Sequence, residues 1–378
     1  MKIVIDKDIP YIRDAFENRQ DIDALYINGA DITKELLIDA DALIVRTRTV
    51  CNKHLLANTK VRAIATATIG YDHIDVEYCE RNNIRWSNAP GCNAESVNQY
   101  VMSAISRLVL SKKISQGKFT LGIVGLGHVG TKVQRSAEVL GIDVILSDPP
   151  RAISENNPEM DRLDEIIEHA DIITLHTPLT TSGEHKTFHL ADRAFFNKLK
   201  KAPFIINTCR GEVLDSLALI DAIKSNKCRG AVIDCWENEP NINVDLLKLC
   251  DIASPHIAGY SKDGKAMGTT MAVQFVSKSL NLGLDEWQCQ AHERPASLII
   301  DAPRVEGAND EERAMSIILK TYEIEQDDKR LRDMPSAFEA QRSNYPIRRE
   351  FRCFEISNCN SVYLRGILER LNFRINKY

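Results

Sequence analysis

The chain has 378 residues, of which 44% are hydrophobic, and this length predicts two or three domains with ordinary cores. Its formal net charge is -5 and its basic residues are scattered, which argues against nucleic acid and anionic membranes as partners. No two of the ten cysteines form a CxxC pair, and no apolar run approaches the roughly 20 residues of a membrane span, so we expect a cytoplasmic protein with reduced thiols and no membrane contact.

Short apolar segments alternate with polar, helix-like or turn-like sequence from the first residues onward. Strands are predicted at Lys2–Ile5, Ala42–Val45 and Ala63–Ala67. This alternation is typical of an α/β domain with a parallel sheet. A helix is predicted at Glu95–Leu110, where apolar residues recur at helical spacing, and Gly117 then breaks the pattern.

The strands that follow are more hydrophobic. They are predicted at Leu121–Val124, Val144–Leu146, Ile172–Leu175, Phe204–Ile206, Ala231–Ile233 and Ile252–Ala253. Continuous apolar strands indicate a sheet that is covered on both faces, so we expect a doubly wound domain here. Beyond Leu284 charged and polar residues dominate, but an apolar periodicity persists, which predicts a third, smaller unit.

A dinucleotide-binding motif follows the first of these hydrophobic strands. Gly125, Gly127 and Gly130 form a GxGxxG pattern, a helix-like segment comes next, and Asp148 ends the following strand. In this order the glycines permit a tight turn, the approach of a pyrophosphate and close helix packing. A carboxylate at 148 would bind the ribose hydroxyls and repel a 2′-phosphate, which favours NAD over NADP, although Arg151 nearby weakens that preference.

Polar side chains follow the ends of the hydrophobic strands. They include His176, Arg210, Glu239 and His256. Because ligands bind beyond the carboxyl ends of strands in open α/β sheets, we expect these ends to converge on one crevice. Dehydrogenation of a 2-hydroxy acid needs a base for the hydroxyl proton and a cation for the carboxylate. His256, oriented by Glu239, and Arg210 are available for these roles.

The motifs around these residues resemble the D-2-hydroxyacid dehydrogenase family. Matching segments are NTCRG at 207–211, DCWENEP at 234–240 and PHIAG at 255–259. The chain also resembles a narrower group within the family. The segments that carry this resemblance are PGCNA at 90–94, DPPR at 148–151, HTPL at 176–179, KTFHLAD at 186–192 and HIAGYSKDGK at 256–265. The resemblance covers nearly the whole chain and implies a phosphorylated 2-hydroxy acid as substrate.

The resemblance also implies roles for individual residues. The catalytic set is Arg210, Glu239 and His256, with His256 as the base. The cofactor-binding residues are Gly125, Gly127, His128, Val129, Gly130, Asp148, Thr177, Cys209, Arg210, Asp234 and Gly259. The substrate contacts are Thr47, Thr68 and Tyr260. Thr47 stands where the family often has Ser, and Cys209 replaces a more usual small residue; neither change removes the chemistry.

Arg46 and Arg48 flank Thr47 at a predicted strand end. They are either solvated surface charges or groups of which one or both hold the substrate phosphate, alone or with Arg348 or Arg349 of a partner subunit. We include both as substrate residues, because a phosphorylated acid carries charge that cations or N–H groups must match.

Two competing sets of residues are set aside. Glu237 could replace Glu239 as the partner of His256, but we predict that Glu237 faces solvent. Glu184, His185 and His189 could suggest a metal, but the HxxxH spacing offers no third ligand, so we predict no metal site.

We therefore predict an α/β fold with two Rossmann-like doubly wound parallel-sheet domains and a smaller C-terminal α/β dimerisation domain. The substrate-binding domain is discontinuous, at 1–98 and 265–285; the NAD-binding domain spans 99–264, and the dimerisation domain spans 286–378. The resemblance implies a homodimer. Two alternatives stay open: another member of the family, such as a 3-phosphoglycerate dehydrogenase, or an NAD-sensing binding protein that has lost catalysis.

Overall fold

The structure is a computed structural model that describes residues 1–114, 119–289 and 298–376, so the predicted helix breaker Gly117 lies outside the described residues. The chain forms two compact units. The first joins Met1–Asn93 with Ser261–Glu293, and the second joins Ala94–Tyr260 with Arg294–Tyr378.

The strands are, in chain order, β1 Lys2–Asp6, β2 Asp23–Ile27, β3 Ala42–Val45, β4 Ala63–Thr66, β5 Arg85–Ser87, β6 Thr120–Val124, β7 Asp143–Ser147, β8 Ile172–Leu175, β9 Phe204–Asn207, β10 Gly230–Ile233, β11 Ile252–Ala253, β12 Ile299–Asp301, β13 Glu355–Ser357 and β14 Arg374–Ile375. The α-helices are α1 Arg13–Phe16, α2 Lys34–Leu37, α3 Lys53–Leu56, α4 Val76–Arg81, α5 Ala94–Leu110, α6 His128–Val139, α7 Pro149–Ser154, α8 Leu163–His169, α9 Arg193–Lys198, α10 Ser216–Lys224, α11 Val244–Leu249, α12 Lys262–Leu280, α13 Asp310–Thr321, α14 Ile324–Asp333, α15 Phe338–Ser343 and α16 Val362–Arg370.

The first unit is built on a parallel five-stranded sheet in the order β2-β1-β3-β4-β5. The central strands β3 and β4 are buried along their whole length, and α12 contributes Ala272, Val273 and Val276 to the core on one face. The long return of the chain through α12 therefore completes this unit. The sequence analysis does not predict the edge strands β2 and β5. β5 is a mixed segment of three residues, and β2 contains an apolar run at 24–27 but none of its residues is fully buried.

The second unit contains a parallel six-stranded sheet in the order β11-β10-β9-β8-β6-β7. All six strands are parallel, but the chain adds β7 on one side of β6 and β8 to β11 on the other side. The point between β6 and β8, where this order reverses, is where ligands bind in doubly wound sheets. One hydrophobic core includes α5, α6, α13 and α16, and the other lies under α8 to α11. Both faces of the sheet are thus covered, as the apolar strands predict.

The C-terminal part adds a small parallel sheet in the order β12-β13-β14 to the same second unit. The C-terminal part contacts α5, since Gln99 Nε2 donates to Thr321 Oγ1 at 3.1 Å and to the Arg349 carbonyl at 2.9 Å. The fold is therefore α/β with two Rossmann-like parallel sheets and a small third sheet. The predicted division into three domains stays a prediction. Among the described residues, none of the helices combines the length and apolar character of a membrane span.

Candidate active site

The glycine motif forms a tight cradle between β6 and α6. Gly125 has φ +93°, and a β-carbon there would lie 2.7 Å from the carbonyl carbon of His176. A β-carbon on Gly130 would lie 1.9 Å from the Gly125 oxygen, so neither position accepts a side chain. At Gly127 a β-carbon would meet no atom within 4 Å. This open approach, at a helix N-terminus with free N–H groups, fits the pyrophosphate of a dinucleotide.

Asp148 holds this cradle from the end of β7. Its Oδ2 accepts a hydrogen bond from Leu126 N at 2.7 Å, and its Oδ1 caps α7 by accepting from Arg151 N at 3.1 Å. The Arg151 guanidinium turns back onto the Leu126 carbonyl and pairs with Glu155 at 2.6 Å. Arg151, whose charge weakens the predicted preference for NAD, is therefore bound to groups of its own chain.

The predicted base and its partner are in direct contact. His256 Nδ1 lies 2.8 Å from Glu239 Oε2, and the other carboxylate oxygen of Glu239 accepts a hydrogen bond from Trp236 N at 2.7 Å. The side chains of His256 and Glu239 are 31% and 20% exposed, so both reach solvent. A carboxylate on Nδ1 orients the ring and leaves Nε2 to exchange a proton with a ligand.

Asp234 fixes the backbone around His256. His256 has φ +54°, a left-handed conformation that costs a residue with a side chain about 1–2 kcal/mol. Asp234 Oδ1 accepts from Ile257 N at 2.8 Å and from Ser254 Oγ at 2.6 Å, while Oδ2 accepts from Ala258 N at 2.9 Å. Asp234 is 1% exposed, and burial raises the pKa of its carboxyl although His256 acts in the opposite direction. Its visible role is to hold this loop.

The loop with Arg210 contacts the loop that leads to Glu239. Asn207 Nδ2 donates to the Arg210 carbonyl at 3.0 Å and to the Cys235 carbonyl at 3.2 Å. A β-carbon on Gly211 would lie 1.9 Å from the Trp236 oxygen, so only glycine permits this close approach. Asn207 and Gly211 thus join the ends of β9 and β10, a function that the sequence motif contained but did not reveal.

Two buried thiols lie in this region. Burial raises the pKa of Cys209 to about 11 and that of Cys235 well above its usual range. Within the described parts of the chain, Cys235, Glu239 and His256 form the one group of potential metal ligands, with donor atoms within 4.8 Å of one another. A neutral thiol is a poor ligand, and Glu239 and His256 already bind each other. The absence of a metal requirement stays a prediction.

Two histidines that could compete with His256 have other partners. His176 Nε2 lies 2.9 Å from Thr174 Oγ1, and burial lowers the pKa of His176 to about 3, so its ring stays neutral. His189 Nε2 lies 2.7 Å from Glu237 Oε1. The other oxygen of Glu237 accepts from Ser216 N at 2.8 Å, so both of its carboxylate oxygens are bound within the chain. The prediction that Glu237 faces solvent is therefore wrong, because the start of α10 gives its carboxylate a donor.

Most of the predicted substrate residues lie in the first unit. Thr47, Arg46 and Arg48 follow β3; Arg46 Nη1 donates to the Asp8 carbonyl at 3.2 Å, and Arg48 Nη1 lies 3.3 Å from Asp8 Oδ2. Thr68 follows β4 and donates to the Gly70 carbonyl at 2.9 Å. The structure brings these residues to neighbouring strand ends of one sheet.

Tyr260 lies in the second unit, where Tyr345 and Arg342 of the C-terminal part contact its ring. Its ring packs edge-on against Tyr345 with centroids 5.9 Å apart, and the Arg342 guanidinium lies 5.8 Å from its centroid. Arg348 contacts the carbonyls of Ile257 and Ala258. The sequence analysis considers Arg348 only as a residue contributed by a partner subunit. The contact of Arg348 with Ile257 joins residues about ninety positions apart in one chain, which no local sequence pattern indicates.

Comparison with known proteins agrees with this geometry. Residues 98–258 match the D-isomer specific 2-hydroxyacid dehydrogenase, NAD binding domain, and residues 300–368 match a domain of unknown function (DUF3410). The chain is 46% identical over 357 residues to erythronate-4-phosphate dehydrogenase of Bacteroides thetaiotaomicron, covering 94% of this chain and 99% of that protein. It is 38% identical to the enzyme of that name from Escherichia coli O1:K1 / APEC, covering 99% and 98% of the two chains.

A solved structure supports the same assignment. The NAD+-bound 3-phosphoglycerate dehydrogenase of Entamoeba histolytica superposes with a TM-score of 0.60 at 25% identity, covering 77% of this chain and 98% of that chain. NAD is thus the cofactor that the cradle accommodates. The chain belongs to the D-isomer specific 2-hydroxyacid dehydrogenase family and is an NAD-dependent oxidoreductase.

Proposed function

We propose that this enzyme oxidises 4-phospho-D-erythronate to 2-oxo-3-hydroxy-4-phosphobutanoate, a reaction of pyridoxal 5′-phosphate biosynthesis. The observation that carries the proposal is the His256–Glu239 pair at 2.8 Å, next to the Arg210 loop, in a chain 46% identical to an erythronate-4-phosphate dehydrogenase. The pair supports the proposed proton transfer, and the similarity along nearly the whole chain supports the proposed substrate.

His256 acts as the base in this proposal. Its Nε2 takes the proton of the C2 hydroxyl, and the carboxylate of Glu239 on Nδ1 stabilises the charge that the ring acquires. Bound NAD supplies the acceptor for the hydride that leaves C2. The substrate thus loses one proton to His256 and one hydride to the cofactor, which together make the C2 carbonyl.

Arg210 holds the substrate carboxylate. One of its terminal nitrogens, Nη1, donates to the Cys209 carbonyl at 2.7 Å, which restrains the guanidinium while leaving its other donors for a ligand. A planar guanidinium matches a carboxylate with two parallel hydrogen bonds. The Arg210 guanidinium also stabilises negative charge on the C2 oxygen of the substrate as the carbonyl forms.

The remaining substrate groups are assigned to the other predicted residues. The hydroxyls of Thr47, Thr68 and Tyr260 contact the substrate, and Arg46 and Arg48 hold its phosphate. Arg48 is 59% exposed and its present partner is Asp8, at 3.3 Å. An exposed ion pair of this kind is worth less than about 1 kcal/mol, so a dianionic phosphate can displace it.

An NADH absorbance assay with purified protein tests the proposed function. The panel contains 4-phosphoerythronate, unphosphorylated erythronate, 3-phosphoglycerate and lactate, and we expect the highest kcat/KM with 4-phosphoerythronate. Preference for 3-phosphoglycerate would assign the chain to another member of the family. NAD binding without turnover of any acid would assign a sensor instead.

We also propose that the chain forms a homodimer through its C-terminal part, 286–378. This proposal rests on the resemblance to the family's dimer-forming members. Light scattering of the full-length chain and of Ile347→Asp tests it, because Ile347 is 67% exposed in this part of the chain. A full-length chain that remains a monomer at micromolar concentration would contradict it.

A further inference from the structure

The C-terminal part of the chain reaches the loop that carries His256. Arg348 is 5% exposed, and its Nη2 donates to the carbonyls of Ile257, at 3.3 Å, and of Ala258. It also reaches the Ser96 carbonyl at 3.4 Å, at the start of α5. The guanidinium therefore joins the loop to the helix that borders the dinucleotide-binding fold.

The same two residues of the loop are held from the opposite side. The N–H groups of Ile257 and Ala258 donate to the two carboxylate oxygens of Asp234, at 2.8 and 2.9 Å. Asp234 thus binds the donors and Arg348 binds the acceptors of these two residues. Both charged groups are buried, so their hydrogen bonds are stronger than they would be in water.

This double restraint coincides with strain. His256 directly precedes the restrained pair and has φ +54°, a conformation that persists only when the surroundings determine it. Arg348 is itself held by a cation–π contact, because its guanidinium lies 4.5 Å from the ring centroid of Tyr322. The position of the His256 ring depends on this backbone.

We propose that Arg348 is a positioning residue for the reaction: it holds the His256 loop in the orientation that aims Nε2 at the substrate hydroxyl. The part of the chain that matches a domain of unknown function therefore acts on catalysis within its own subunit. The proposal rests on the proposed role of His256 as base.

Arg332 offers a matched control. It also belongs to the C-terminal part and also binds backbone carbonyls of the Rossmann fold, those of Leu247 at 2.7 Å and Cys250 at 2.8 Å. These carbonyls lie before β11, whereas those bound by Arg348 lie after it. Loss of Arg332 should lower stability without changing the orientation of His256.

The experiment compares full-length wild type with Arg348→Ala, Arg348→Lys and Arg332→Ala. It measures kcat and KM for 4-phosphoerythronate, the isotope effect with deuterium at C2, the Kd for NAD, and hydrogen exchange at the amides of residues 256–260. For Arg348→Ala we expect kcat to fall about tenfold or more, since misplaced catalytic groups cost this much. We also expect a larger isotope effect, faster amide exchange and a Kd for NAD that changes less than about twofold.

The two other variants separate positioning from stability. Arg348→Lys keeps the charge and can reach one carbonyl, so its kcat should fall less than that of Arg348→Ala; if the alanine variant does not fold, a kcat below wild type in the lysine variant supports the proposal. Arg332→Ala should melt earlier with kcat within about twofold of wild type.

Unchanged kcat and unchanged amide exchange in the Arg348 variants would overturn the proposal. An equal loss of kcat in Arg332→Ala would overturn it as well, because the effect would then be general. A wild type that does not oxidise 4-phosphoerythronate would refute the proposed function only, and the exchange comparison would still decide the role of Arg348.

Discussion

His176 and His256 both follow short buried strands of the same parallel sheet, and both lie where ligands bind in such folds. Their surroundings differ. His176 meets the hydroxyls of Thr174 and Thr208, at 2.9 and 3.4 Å, and burial lowers its pKa to about 3. His256 meets the carboxylate of Glu239 at 2.8 Å. His256 thus has a carboxylate partner that orients its ring for proton transfer, whereas the partners of His176 in the structure are two hydroxyls.

The largest effect is expected when the proposed base is removed. His256→Ala should lower kcat by about a hundredfold or more, since general-base catalysis contributes that much, with NAD binding retained. The corresponding change at the other strand end, His176→Asn, should lower kcat no more than a few-fold. NADH absorbance and a fluorescence titration with NAD measure both variants. Near-normal turnover in His256→Ala would refute the assignment of the base.

Removing the carboxylate from the pair should have the next largest effect. Glu239→Gln keeps a hydrogen-bonding group beside Nδ1 but loses the charge, which corresponds to about 1.5–3 kcal/mol for a charged hydrogen bond. We expect kcat to fall about tenfold to a hundredfold with little change in the Kd for NAD. Glu237→Gln, at the carboxylate that binds His189, is the control and should retain activity. Equal losses in both variants would mean that the two pairs do not differ in function.

The proposed role of Arg46 and Arg48 in binding the phosphate predicts a different kinetic signature. Arg46→Ala and Arg48→Ala should each raise KM for 4-phosphoerythronate about tenfold while kcat changes little, because a charged hydrogen bond to phosphate is lost. For unphosphorylated erythronate KM should stay the same. Unchanged KM for 4-phosphoerythronate in both variants would show that the phosphate binds elsewhere.

The smallest predicted effect concerns acid stability. The pKa of His176 in the folded chain, about 3, lies below its ordinary 6.5, so its contribution to stability is complete above pH 6.5 and is lost as pH falls towards 3. Tm should therefore decrease less between pH 7 and pH 5 for His176→Asn than for wild type. Thermal melts across this range measure the difference. Parallel curves would show that protonation of His176 does not oppose folding.

Much of the sheet core could be predicted from sequence. The strands Ala42–Val45 and Ile172–Leu175 were predicted with their observed bounds, because buried parallel strands consist of continuous apolar residues. The edge strand Asp23–Ile27 was not predicted although residues 24–27 are apolar; it pairs on one side only, and all of its residues are at least partly exposed. Edge strands are defined by their neighbour, which a local pattern does not contain.

The candidate site divides in the same way. The sequence indicated Arg210, Glu239 and His256, because each follows a recognisable strand and the motifs around them resemble one family. It did not indicate that Glu237 binds His189 at 2.7 Å, since Glu237 and Glu239 stand two residues apart in one polar loop. Which carboxylate meets which histidine depends on how that loop turns.

The sequence by itself therefore determined the class of fold, the glycine motif of the dinucleotide cradle and the residues that we propose for the reaction. These features are local: apolar strands, a glycine spacing, and side chains that follow strand ends, which parallel topology brings to one edge. Only the tertiary structure decided that His176 is neutral, that Asp234 holds the His256 loop, and that Arg348 holds it from the other side. Those properties come from burial and from contacts between residues far apart in the chain, which periodicity cannot encode.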